Sequence, residues 1–144
     1  FHLDNLGIGK ICLLGDSNTE AFYWNTINGY KIINMGFGGA GALVIADRAN
    51  YLASISQPKH LHLMVGTNDQ ADDPMFLVSI NEIIDNFKVY GTKIVIWPIP
   101  PVYSSVGLLY PLENRQELNQ QRRIWGPGRS TYKKDFKICK YADI

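Results

Sequence analysis

Apolar residues gather in short blocks along this chain, and Gly, Asn, Asp or Pro closes each block. "IGKICLL" at 8–14, "YKIINM" at 30–35, "HLHLMV" at 60–65 and "KIVIWPI" at 93–99 are four such blocks, with "FKIC" at 136–139 a shorter fifth. Runs of this length between turn residues predict strands buried on both faces, as in a parallel sheet. Between them the apolar period lengthens. Leu43, Ala46, Ala49, Leu52 and Ala53 recur at three- and four-residue steps within 41–55, and Phe76, Leu77, Ile80, Ile83, Ile84 and Phe87 make a stronger stripe within 74–90. Both patterns predict amphipathic helices. Asp73 is placed to cap the second, with Pro74 at its first helical position. A polar helix is expected over 112–125, with Leu118 and Trp125 turned inward.

Strands alternating with helices predict a three-layer α/β/α fold around a flavodoxin-like parallel sheet of about five strands. No repeat or low-complexity linker divides the chain, so residues 1–144 read as one domain. A helix covering the sheet is expected after the fifth strand, and the architecture reads as incomplete at its C-terminus.

Composition adds limits rather than identity. Apolar residues are 46% of the 144 and charged residues 19%, as in a globular protein. The net charge of +1 gives no case for a nucleic-acid partner. Eight of the 14 Lys and Arg lie between Arg115 and Lys140, opposed there by Glu117 and Asp135, which reads as a solvated basic stretch. Cys12 and Cys139 sit in apolar runs and read as buried thiols rather than a disulfide framework. No stretch approaches a membrane span. No Cys/His/Asp cluster has metal-ligand spacing, so neither metal nor cofactor is expected. Compartment is left open.

In open parallel sheets, ligands bind outside the carboxyl ends of the strands. Three polar, Gly-containing segments leave such ends here: "GDSNTE" at 15–20, "GFGGAG" at 36–41 and "GTND" at 66–69. The glycines follow the second strand rather than the first, which argues against a dinucleotide fingerprint. Together the segments hold the parts of an acyl-transfer site. Ser17 is a candidate nucleophile, Gly38 and Gly39 can bring backbone N–H groups close to a carbonyl, and Asn68 can add a side-chain donor. Each also has a plain structural reading: Ser17 as a turn former, Gly39 as a tight bend, Asn68 as a cap.

In order and spacing these segments resemble the four-block signature of the SGNH hydrolases, the GDSL esterase/lipase family. "GDSNT" is similar to the first block, with Asn18 where the family name has Leu. "NMGFGGAG" resembles the second, its Gly aligning best with Gly39, and "GTND" the third. The likeness runs from residue 8 to about 103. It implies a serine hydrolase with Ser17 as nucleophile and an oxyanion hole of Ser17 N–H, Gly39 N–H and the Asn68 side chain. The substrate would be a small ester, thioester or acylated carbohydrate. Asp16 and Asp69 are expected to tie down their loops through backbone N–H bonds.

The family's fourth block, D-x-x-H, is absent. His2 precedes the first strand and His60 opens the third, both at the far edge from Ser17. His62 stands four residues before Gly66, about 13 Å below the loop at about 3.3 Å per residue. None reaches a serine hydroxyl, which needs its base within about 3 Å or through one water. Two expectations follow: a protein that continues past Ile144 to a D-x-x-H motif, or a degenerate member that binds an acylated or carbohydrate ligand without turnover. A flavodoxin-like phosphate-binding domain is the third reading.

Overall fold

A computed structural model describes residues 10–70, 72–99, 116–118, 120 and 136–138. His2, Trp125, Cys139 and most of the basic stretch between Arg115 and Lys140 lie outside them. The elements in chain order are β1 (Ile11–Gly15), α1 (Ser17–Glu20), β2 (Thr26–Ile27), β3 (Tyr30–Gly36), α2 (Ala42–Ser56), β4 (His60–Met64), α3 (Met75–Lys88), β5 (Lys93–Ile96) and β6 (Phe136–Ile138). They form one sheet in the order β2-β3-β1-β4-β5-β6, parallel except for the β2–β3 pair.

The five expected strands are all present, most of them shorter than their apolar blocks. The fourth ends at Ile96, ahead of Trp97 and Pro98. The sixth, β2, was not expected. It is a two-residue arm turned back by Asn28 and Gly29, whose φ values of 49° and 80° are those of a tight hairpin turn. The four-residue α1 is likewise unexpected, being too short to show a period.

Parallel register fixes which side chains share a face. Cys12 pairs with Ile33 and Leu61, Leu14 with Met35 and Leu63, and Leu61 and Leu63 with Ile94 and Ile96. All are buried in one cluster with Ala46, Ala49 and Leu52 of α2 and Ile80, Ile83 and Phe87 of α3. Leu118 joins the same cluster. Leu13, Asn34, His62 and Val95 occupy the alternate register on the opposite face and are half-buried.

The helix starts follow local chemistry. The helix α3 begins at Met75, one residue later than expected, with Pro74 just ahead of it already at helical dihedrals (φ −64°, ψ −18°), while Asp73 still accepts from Met75 N at 2.8 Å. The start of α2 has only Gly41 before it and no local side-chain cap. Its Ala42 N–H is satisfied instead by Asp69 Oδ1 at 2.8 Å, reached from 27 residues away. Cys12 is a free, buried thiol, its pKa pushed up to about 12 by burial. Among the described residues no helix is long and apolar enough to cross a membrane.

Candidate active site

The chain leaves β1 for its neighbour β3 and then crosses back over β1 to reach β4. Strand β1 is therefore the point where the winding reverses, and a crevice opens at the carboxyl end of such a strand. Ser17 stands there, as the first residue of α1 and exposed. The bend that presents it needs a bare residue at its base. A Cβ on Gly15 would collide with the Met64 carbonyl and the Thr19 hydroxyl.

Hydrogen bonds knit the three loops into one edge. Phe37 N–H donates to Gly15 O at 2.9 Å, tying the second loop to the first. Asn68 Nδ2 donates to Ala40 O at 3.1 Å, tying the third to the second. Asp16 is fully buried, and its Oδ1 accepts from Asn18 N at 2.9 Å while its Oδ2 faces Thr67 N at 3.4 Å. Both Asp16 and Asp69 thus hold backbone N–H groups, as expected of them. The second loop is a turn closed by Ala40 N to Phe37 O at 3.1 Å, with Gly39 at φ +73°, a conformation that side chains disfavour. Arg48 of α2 lies over the Phe37 ring, 5.4 Å from its centroid, and supports this turn from outside.

The structure brings Ser17, Gly39 and Asn68 to neighbouring strand ends. Among the described residues, the Ser17 N–H, the Gly39 N–H and one of the two Asn68 Nδ2 hydrogens have no hydrogen-bond partner. Three donors left open at one edge can receive a negatively charged oxygen.

His60 and His62 stay apart from that edge. His60 opens β4, and His62 sits mid-strand with its Nδ1 accepting from Trp97 Nε1 at 2.8 Å. Burial, and then the nearby His60, hold the His62 imidazole below its ordinary value. The described residues hold no group of His, Cys, Asp and Glu suited to a metal ion. On the same face, Leu13, Thr19, Phe22, Ile27, Met64 and Trp97 line most of a cavity of about 330 Å³ that reaches up to Asn18. Next to Phe22, Tyr23 and Trp24 stack on each other with centroids 5.1 Å apart and remain exposed.

Two residues escaped the sequence reading. Asn34 donates through Nδ2 to Thr19 O at 2.8 Å and Phe22 O at 2.9 Å, and accepts from Gly36 N at 2.9 Å, so it anchors the chain leaving α1. Its signal was a lone amide inside an apolar run. Thr67 receives the Asn18 side chain at 3.0 Å, a bond across 49 residues for which the sequence holds no sign.

No family profile matches the chain, and no curated protein sequence does. Solved structures do. A Streptococcus pneumonia protein provisionally described as a platelet activating factor matches at 21% identity and a TM-score of 0.72, over 92% of this chain and 65% of its own. A lipase/acylhydrolase from Enterococcus faecalis matches at 19% and 0.62, over 79% and 70%. A member of the lipolytic G-D-S-L family from Veillonella parvula matches at 17% and 0.65, over 90% and 75%. The fold is the SGNH-type α/β/α fold. The chain spans about two thirds to three quarters of these proteins' length.

Proposed function

We propose that this chain is the larger part of a single-domain SGNH-type serine hydrolase acting on carboxylic esters or thioesters. The observation that carries the reading is the gathering of an exposed serine and three unengaged donors where the sheet's winding reverses. Ser17 Oγ would attack the carbonyl carbon, and the oxyanion would rest on Ser17 N–H, Gly39 N–H and Asn68 Nδ2. Collapse would expel the alcohol or thiol with a proton, leaving the acyl group on Ser17, and water would release the acid. The likeness to esterase folds supports this, including that to a serine-to-alanine acetyl esterase mutant with acetate. The cavity below Asn18, about 330 Å³ and lined mostly by apolar side chains, suits an acyl group.

The base that must take the Ser17 proton is neither His60 nor His62. The reading therefore assigns it to chain outside the described residues, in keeping with the greater length of the similar structures. A second reading, a binder that retains an acylated ligand without turnover, is favoured by the distance of those two histidines along β4 from the serine. A fluorophosphonate probe separates the two. The full-length protein should label and hydrolyse short p-nitrophenyl esters, and Ser17→Ala should abolish both. Asn68→Ala should lower kcat by about 10²–10³, the usual cost of one oxyanion donor. A full-length protein that neither labels nor turns over would leave the binder.

A further inference from the structure

Position 18 is where this chain departs from the G-D-S-L pattern, and its side chain carries a bond that leucine cannot make. Asn18 Nδ2 donates to Asp16 Oδ1 at 3.1 Å and to Thr67 Oγ1 at 3.0 Å. A carboxylate only accepts, so the amide nitrogen must be the atom facing Asp16. Both its hydrogens are then spent, and the Thr67 hydroxyl has to offer a lone pair. The acceptors are buried or nearly so, Asp16 at 0% and Thr67 at 9% exposure, whereas Asn18 itself is exposed. An exposed amide thus bridges two buried groups on different loops. Asp16 closes the ring by facing Thr67 N.

We infer that Asn18 is a positioning residue, a clamp that holds Ser17 in register with Asn68 by joining the first loop to the third. This rests on the hydrolase reading above. Ser17 lies between Asp16 and Asn18, both held; Asn68 follows Thr67 directly. The clamp therefore fixes the nucleophile's N–H and the Asn68 amide in a single frame before any substrate arrives. Donors already aimed at the developing charge need no reorganisation in the transition state. Loosening the frame should accordingly cost kcat more than KM.

The test uses Asn18→Leu, Thr67→Val and the double variant in the full-length protein. Each single change should lower kcat roughly ten- to hundredfold, the scale of a misplacement near 1 Å, with KM within about twofold. The double variant should be no worse than Asn18→Leu, because both changes remove the Asn18–Thr67 bond and Asn18→Leu already loses the bond to Asp16 as well. Thr67→Ser keeps the hydroxyl and should recover most of the loss seen in Thr67→Val. Hydrogen exchange gives a second readout that needs no turnover: either single change should speed exchange in both 16–19 and 66–69. The clamp is overturned by an undiminished kcat in Asn18→Leu, by losses that multiply in the double variant, or by exchange that rises only in the mutated loop. Ser17→Ala keeps this apart from the hydrolase reading. Turnover surviving that change would sink the nucleophile, while a dead Ser17→Ala beside a fully active Asn18→Leu would sink the clamp alone. Should Asn18→Leu fail to fold, Thr67→Val and Thr67→Ser carry the same comparison from the other end of the bond.

Discussion

On one face of the sheet, Cys12, Leu14, Ile33, Met35, Leu61, Leu63, Ile94 and Ile96 lie under α2 and α3, each at most 1% exposed. On the other, Leu13, Asn34, His62 and Val95 are half-buried, and two of them make side-chain hydrogen bonds: Asn34 to the chain leaving α1, His62 to Trp97. The first face is held by area removed from water, which is large and indifferent to direction. The second carries, among the described residues, directed bonds from Asn34 that set where the chain leaving α1 lies. Stability and geometry are thus divided between the faces, and substitutions can test the division.

The largest stability effect should come from the helix-covered face. Phe87→Ala, at a fully buried position, should cost about 3–5 kcal/mol in denaturant unfolding. Leu13→Ala on the half-buried face should cost about 1–2 kcal/mol. Equal losses would erase the distinction. Next in size is Asp69→Ala, which strips the long-range cap from α2. A cap of this kind contributes about 1 kcal/mol. The same change should also impair turnover, since Asp69 adjoins Asn68; a stability loss with activity intact would separate the cap from the site.

The smallest effect concerns acid. The folded His62 binds its proton less readily than the unfolded chain's histidine, whose value is near 6.5. Stability should hold above about pH 6.5 and fall as pH drops below it, through the lowered folded value. Protonation at Nδ1 also removes the acceptor for the Trp97 indole. The indole N–H resonance of Trp97 should therefore move with a midpoint below 6.5, and His62→Leu should flatten this part of the acid limb. A midpoint above 6.5 would reverse the assigned cause.

The same division explains what could be read from the chain alone. Burial writes itself into periodicity, so β1, β3, β4, β5, α2 and α3 were all legible, with Asp73 and Pro74 marking the start of α3. Ser17, Gly39 and Asn68 were legible as turn and cap residues in the loops that leave the strand ends. What stayed hidden has no period. The α1 turn is four residues long, and the arms flanking Asn28–Gly29 are too short to alternate. The bonds from Asn18 to Thr67, Asp69 to Ala42 and Trp97 to His62 join residues 49, 27 and 35 positions apart. Only the folded sheet makes them neighbours.

The small arm β2 has a consequence of another kind. Strand β3 would otherwise end the sheet with a row of bare amides and carbonyls, the template on which a second molecule could stack in solution. Ile27 and Thr26 pair with Tyr30 and Lys31, and Asn25 O takes the Ile32 N–H at 2.9 Å, so the first half of that row is already filled. Along that half a neighbouring molecule meets an edge that is already paired rather than an open template.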